Sequence, residues 1–170
     1  MKHVITISLF MCMTCFSWGQ GQQNKLAWTF PAFKKQDAFN PILLPDTSFR
    51  FVCPISNKTA NWQSKNVLNP TAIIKEGKVY LVYRAQDSAM TSRLGLAISE
   101  DGIHFTKQAQ PIFYPAQDAF QRYEWQGGVE DPRIIETSHQ EYLLTYTSYD
   151  GKTARLCFAV SKDLIHWNKK

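Results

Sequence analysis

Two residues 62 positions apart share a neighbour but differ in chemistry: Asn69 precedes Pro70, and Asp131 precedes Pro132. In a repeated architecture, packing asks for the same residue type at matching positions. An amide set against a carboxyl at such a pair is therefore a candidate for function. The carboxyl sits in a dense run, Tyr123-Glu124-Trp125-Gln126-Gly127-Gly128-Val129-Glu130-Asp131-Pro132-Arg133. Its two glycines let the backbone turn tightly and a ligand come close. An aromatic ring and several charged groups then fall within a few residues, the makeup of a carbohydrate pocket with a catalytic carboxylate. The run also admits a plainer reading, in which Glu130 and Arg133 form a surface ion pair and Asp131 caps a turn. A residue before proline is pushed toward extended backbone, and Asn69 and Asp131 are both expected there.

The elements that must position these groups repeat. Sliding 69–107 by 62 positions lays it on 131–169 without a gap. Pro70 meets Pro132, Tyr80-Leu81 meets Tyr142-Leu143, Arg93-Leu94 meets Arg155-Leu156, and Ile103-His104 meets Ile165-His166. Self-similarity at one fixed period outranks any element-by-element assignment. Within each copy, short runs rich in Val, Ile, Leu and Tyr alternate with turn signals, and the runs predict strands over 71–74, 79–84 and 94–99. The second copy predicts strands over 133–136, 141–147 and 154–161, and a Phe or Trp opens a fourth strand in each copy. A four-stranded antiparallel unit that recurs describes a propeller blade, so the fold class expected is an all-β propeller, with a β-sandwich as the alternative. Asn69 and Asp131 would then look into one axial funnel from adjacent blades.

Propellers close with about four to eight blades, whereas the 170 residues hold a lead-in over 20–65 and about two blades over 66–170. Open sheet edges are a liability, so the sequence is expected to be a piece of a longer protein or to close with other subunits.

At these residues the chain resembles glycoside hydrolase family 130. The resemblance rests on Asn69-Pro70, Tyr80-Leu81-Val82-Tyr83-Arg84, Ser92-Arg93-Leu94-Gly95-Leu96-Ala97, Ser99-Glu100-Asp101-Gly102-Ile103-His104-Phe105 and Gly127-Gly128-Val129-Glu130-Asp131-Pro132-Arg133. It implies a five-bladed propeller that cleaves β-mannosides with inversion. By similarity Asp131 donates the proton to the departing glycosidic oxygen, which asks for a carboxyl still protonated near neutral pH. Glu130 beside it would oppose ionisation, and Arg133 would favour it if in contact. Asn69 and Arg84 resemble positions that hold the mannose ring. Arg93 and Arg133 are weaker carry-overs to sugar or phosphate, and the repeat partner of Arg93, Arg155, favours a structural role such as a blade-to-blade salt bridge. Trp125 and Tyr146 have the rings to stack on sugar, although strand aromatics are more often core. Hydrolysis needs a second carboxylate and phosphorolysis needs a phosphate site, and both would lie largely in further blades. Export favours the hydrolase, with a phosphorylase using inorganic phosphate as runner-up and an inactive carbohydrate-binding fragment as a third reading.

The remaining features bound the class. A composition of 44% hydrophobic and 14% aromatic residues excludes a disordered chain. The net charge of +5 is scattered singly, with no basic stripe for nucleic acid. Met1-Lys2-His3, the apolar run 4–16 and Ser17-Trp18-Gly19 read as a signal peptide over 1–19, hence a secreted or periplasmic protein. A buried N-terminal strand is the alternative for that run, and a lipid anchor at Cys12 or Cys15 the lesser expectation. No further segment is long and apolar enough to span a bilayer. Cys53 and Cys157 sit in apolar strand contexts where unpaired core cysteines are the commoner case. His3, His104, His139 and His166 have no metal spacing and no Gly-rich phosphate loop appears, so neither a metal nor an organic cofactor is expected.

Overall fold

The structure, a computed structural model, describes residues 32–170. The expected signal peptide, Cys12 and Cys15 therefore lie outside the described residues. A compact unit spans Gln36–Lys170, and the described residues before it carry no secondary structure.

The unit is almost entirely β. A small antiparallel pair, β1 (Phe51–Val52) and β2 (Thr59–Ala60), precedes two four-stranded antiparallel modules. The first comprises β3 (Asn66–Lys75), β4 (Lys78–Gln86), β5 (Ser92–Ser99) and β6 (Thr106–Lys107). The second comprises β7 (Gly128–Glu136), β8 (Tyr142–Tyr149), β9 (Ala154–Ser161) and β10 (Asn168–Lys169). One short helix, α1 (Gln121–Glu124), lies in the connection between them. Among the described residues no helix is long and apolar enough to cross a membrane.

Local chemistry explains the strand turns. Glu76 and Gly77 carry φ of 51° and 76° between paired Lys75 and Lys78, the two-residue loop whose twist suits a hairpin. Each module ends in a Ser-x-Asp turn. Asp101 Oδ1 accepts from the Ile103 and His104 amides at 2.8 Å each, and Asp163 Oδ1 accepts from Ile165 and His166 at 2.9 and 2.8 Å. The His104 and His166 rings sit 2.6 Å from those carboxylates, so the paired histidines close turns.

The modules repeat, but not in one unbroken register. Ala97 pairs with Leu81 and Ala159 pairs with Leu144, so the third strand is displaced by 62 positions and the middle strand by 63. Tyr83 accordingly corresponds to Tyr146, and both are buried. The gapless match of Tyr80-Leu81 to Tyr142-Leu143 is thus corrected by one residue, a shift that exchanges the faces of every side chain in the strand. The longer 137–141 loop after β7 adds a residue, and the shorter 150–153 loop after β8 removes one, so the offset cancels at the strand ends.

The first module is buried on both faces, which suits the continuous apolar run of β4. One face packs Tyr83, Ala85 and Ala97 under Phe51, Cys53 and Trp62. The other packs Val82, Leu94 and Leu96 against Val129, Ile134, Leu144 and Tyr146 of the second module, with Phe113 from the connection. Cys53 and Cys157 are free thiols.

Candidate active site

The first strands of the two modules run side by side and both bulge at the X-Pro step, between Leu68 and Thr71 in β3 and between Glu130 and Arg133 in β7. At the bulges Asn69 has φ of 41° and Asp131 φ of 50°. The extended backbone expected before proline is therefore not what forms. The bulge leaves these residues out of the ladder, and Asn and Asp are the side chains that best tolerate the left-handed region.

This geometry aims the two side chains at each other. Asn69 Nδ2 donates to Asp131 Oδ1 at 2.6 Å. Arg84, from β4, donates Nη1 to the same Oδ1 at 3.1 Å and Nη2 to Glu130 Oε1 at 2.5 Å. One guanidinium thus ties the two adjacent carboxylates, in the fork geometry that Arg provides and Lys does not. The Arg84 and Glu130 side chains are 15% exposed, while Asp131 is 41% exposed. Asp131 Oδ2 accepts no hydrogen bond among the described residues. The cluster therefore presents a half-exposed carboxyl whose inner oxygen is anchored twice and whose outer oxygen is open. That arrangement offers a polar ligand one open carboxyl oxygen.

Other expected residues fall elsewhere. Arg133 is exposed and donates Nη1 to the Pro132 carbonyl at 2.6 Å. The cation on the carboxylates is Arg84, so the plainer alternative of a Glu130–Arg133 ion pair is not what forms. Arg93 is 2% exposed and donates to Asp87 Oδ2 at 2.8 Å, with its guanidinium 5.6 Å from the Phe51 ring centroid. Arg155 repeats this with Asp150 at 2.8 Å. Both salt bridges close the hairpin within a module rather than joining modules, because each acid lies in the turn just before its arginine. Tyr146 is 1% exposed, edge-on to Phe113 at 4.8 Å, with its hydroxyl donated to Glu124 Oε1 at 2.9 Å. Its ring offers no face to a sugar, which corrects the stacking role. Trp125 is half-buried beside the core that holds Trp62 and Tyr83.

Residue-by-residue reading missed a second layer beneath the cluster. Ser92 Oγ donates to Glu130 Oε1 at 3.0 Å and accepts from Arg84 Nε at 3.0 Å and Gln86 Nε2 at 3.1 Å. Gln86 Oε1 accepts from Asn66 Nδ2 at 2.9 Å. None of these belongs to a recognisable spacing. The signal that marks them is the broken repeat between the modules.

A cavity of about 670 Å³ lies away from these groups, between the 108–120 connection and 165–169, and carries no carboxyl–guanidinium cluster comparable to that at Asp131. A smaller one of about 260 Å³, lined by Asn40, Leu43, Leu68 and Tyr83, reaches Asn69. Among the described residues no three His, Cys, Asp or Glu side chains are grouped to hold a metal ion.

The chain is thus an all-β protein of repeated four-stranded modules, with paired carboxylates on β7 and a guanidinium from β4 between them. The family model described as beta-1,4-mannooligosaccharide phosphorylase matches residues 33–170, and the chain belongs to glycoside hydrolase family 130. It is 34% identical over 119 residues to a 1,2-beta-oligomannan phosphorylase of Thermoanaerobacter sp. (strain X514), covering 64% of this chain and 38% of that protein. A beta-1,2-mannobiose phosphorylase of the same organism is 31% identical over 126 residues, covering 65% and 40%. A solved structure described as "The GH130 family of mannoside phosphorylases contains glycoside hydrolases that target beta-1,2 mannosidic linkages in Candida mannan" superposes with a TM-score of 0.82 at 38% identity, covering 85% of this chain and 42% of that one. The chain thus spans about two fifths of the length of the relatives it matches.

Proposed function

We propose that this chain carries the acid half of a β-mannoside-cleaving site, with Asp131 as general acid, in a protein whose architecture is a five-bladed propeller. The observation that carries the reading is the convergence of Asn69, Arg84 and Glu130 on Asp131. Because Oδ1 already accepts from two N–H donors, a transferable proton on Asp131 sits on Oδ2. Donation from Oδ2 to the glycosidic oxygen, directly or through a sugar hydroxyl, releases the leaving sugar as an alcohol while a nucleophile attacks the anomeric carbon from the opposite face. The open edge of Asn69 and the guanidinium of Arg84 are suited to hydrogen bonds with mannose hydroxyls, and Trp125 and Arg133 lie within reach in sequence as outer contacts.

Phosphorolysis is the better supported of the two outcomes, which reverses the order expected from export. The family description and both curated relatives are phosphorylases. With inorganic phosphate as nucleophile the products are α-mannose 1-phosphate and the shortened oligosaccharide. Hydrolysis is kept as a second reading by the 38%-identical solved structure described for hydrolases of β-1,2 linkages. Export of the protein stays part of that second reading.

Further modules are supported by one asymmetry. Leu94 and Leu96 are fully buried by the second module, while Leu156 and Phe158, their counterparts in β9, are 82% and 47% exposed. The deciding experiment incubates the full-length protein with β-1,2- and β-1,4-mannobiose, with and without phosphate. Mannose 1-phosphate formed only with phosphate supports phosphorolysis, and free mannose at equal rates in both supports hydrolysis. No cleavage of either sugar would overturn the reading.

A further inference from the structure

We propose that Ser92 is a positioning residue, acting through Arg84 to hold Asp131 in its proton-donating geometry; this rests on the reading of Asp131 above.

A serine hydroxyl has one O–H and two lone pairs. Arg84 Nε, at 3.0 Å, can only donate. The amide of Gln86 is oriented by Asn66, whose Nδ2 donates to Gln86 Oε1 at 2.9 Å, so Gln86 turns its own Nε2 toward Ser92 at 3.1 Å. Both lone pairs of Ser92 Oγ are thereby taken, and its single proton is directed at Glu130 Oε1, 3.0 Å away. Glu130 Oε1 then receives two donors, from Ser92 and Arg84. The guanidinium is held at Nε by Ser92, at Nη2 by Glu130 and at Nη1 by Asp131. Remove the hydroxyl and Arg84 loses the contact nearest its stem, which is the one that fixes the plane of the fork.

Ser92 is 0% exposed, so it touches no substrate. Its backbone is fixed too: its N–H donates to the Gly127 carbonyl at 2.8 Å, and it pairs in parallel with Gly128 of β7.

Packing does not require this polar set. In the second module the counterparts of Asn66, Arg84, Gln86 and Ser92 are Gly128, Thr147, Tyr149 and Ala154, as the strand pairings show. The same scaffold therefore closes without the four polar groups. They occur only in the module whose β4 supplies the guanidinium.

The test compares Ser92→Ala and Ser92→Cys with wild type in the full-length protein, on mannobiose and on a 2,4-dinitrophenyl β-mannoside whose leaving group needs no protonation. Because a misplacement of about 1 Å can cost on the order of 100-fold, kcat on mannobiose is expected to fall about 10- to 100-fold; a weaker grip of Arg84 on the mannose ring lowers both substrates alike, so the loss on mannobiose is expected to exceed that on the activated substrate by about tenfold. Equal losses on both substrates, or none, would overturn the proposal, because a purely structural role lowers both together. A second measurement needs no activity: the Arg84 Nε–H resonance is expected to be protected from solvent exchange in wild type and lost in both variants. Wild-type protein that cleaves neither mannobiose defeats the reading of Asp131 alone. An Nε–H that exchanges freely in wild type defeats the role of Ser92.

Discussion

Asn69 and Asp131 occupy the same backbone state on adjacent strands and touch, amide to carboxylate, at 2.6 Å across 62 residues of sequence. The contact fixes Oδ1 of Asp131 and leaves Oδ2 for chemistry. Asp131→Asn keeps the shape and removes the transferable proton, so turnover of mannobiose is expected to fall at least about 100-fold. Asn69→Ala removes one of two donors to Oδ1 and is expected to cost about tenfold, within the range of a lost hydrogen bond to a charged group. Initial rates for both variants decide the matter, and near-normal turnover by Asp131→Asn would remove it from the reaction.

Much of this arrangement is legible in the sequence. The repeat marks two modules, the apolar runs mark their strands, and the X-Pro pair marks the two residues that meet, Asn69 and Asp131. The backbone at that pair departs from the extended form because the proline ring chiefly disfavours the right-handed α region, whereas the bulge sets Asn69 and Asp131 at positive φ. The middle-strand register was hidden by two compensating loop changes, which leave no trace at the strand ends. Ser92 and Gln86 escaped notice because a buried hydroxyl and amide have no diagnostic spacing. Comparison of Ser92 with Ala154 and of Gln86 with Tyr149 would have exposed them once the register was right.

Gly128 carries φ of 110°, and a Cβ there would strike the backbone carbonyl and amide of Ser92. Neither can retreat, since they form the bridge between modules. Gly128→Ala is expected to destabilise by about 3 kcal/mol, the upper range for overpacking with the wrong φ added. Gly77, at φ of 76°, has no atom within 4 Å of such a Cβ. Gly77→Ala should therefore show backbone strain alone, about 1 kcal/mol. Urea unfolding of the two variants measures the difference, and equal losses would mean that close approach at Ser92 contributes nothing.

Glu124 is fully buried between Tyr146 and Lys169, whose Nζ donates to its Oε2 at 2.5 Å. Burial raises its pKa, against the downward pull of Lys169 and the Tyr146 hydroxyl. Burial likewise pushes the Tyr146 phenol above its usual range. Glu124→Ala leaves the Tyr146 hydroxyl without its acceptor and Lys169 with Asp118 at 3.1 Å as its ion-pair partner and the Tyr114 carbonyl at 3.2 Å. Breaking one side of such a pair costs about 3–5 kcal/mol, whereas Tyr146→Phe, which deletes one bond and leaves the ion pair, should cost about 1–2 kcal/mol. The urea midpoints of the single and double variants should be strongly non-additive. Simple additivity would mean that the three groups do not act as a unit.

Asp150 supplies the last prediction, a pH dependence. Its Oδ1 accepts from the Thr153 and Lys152 amides at 2.8 Å each, and its Oδ2 from Arg155 at 2.8 Å. The backbone bond from Thr153, then Arg155 and Lys152, hold the carboxyl at about 2, against about 3.9 in an unfolded chain. The folded protein thus binds this proton more weakly than the unfolded one, so the contribution is complete above about pH 4 and disappears as pH falls toward 2. Asp150→Asn should lower Tm at pH 6 and flatten the decline between pH 4 and 2, until the two curves meet near pH 2. The decline is reduced rather than abolished, because Asp101 is also held below the usual range by the His104 ring and turn amides. Asp163 is held low as well, burial pulling it upward but His166 and the turn amides prevailing. Melting curves that stay parallel from pH 6 to 2 would show that the Asp150 turn does not couple to global unfolding.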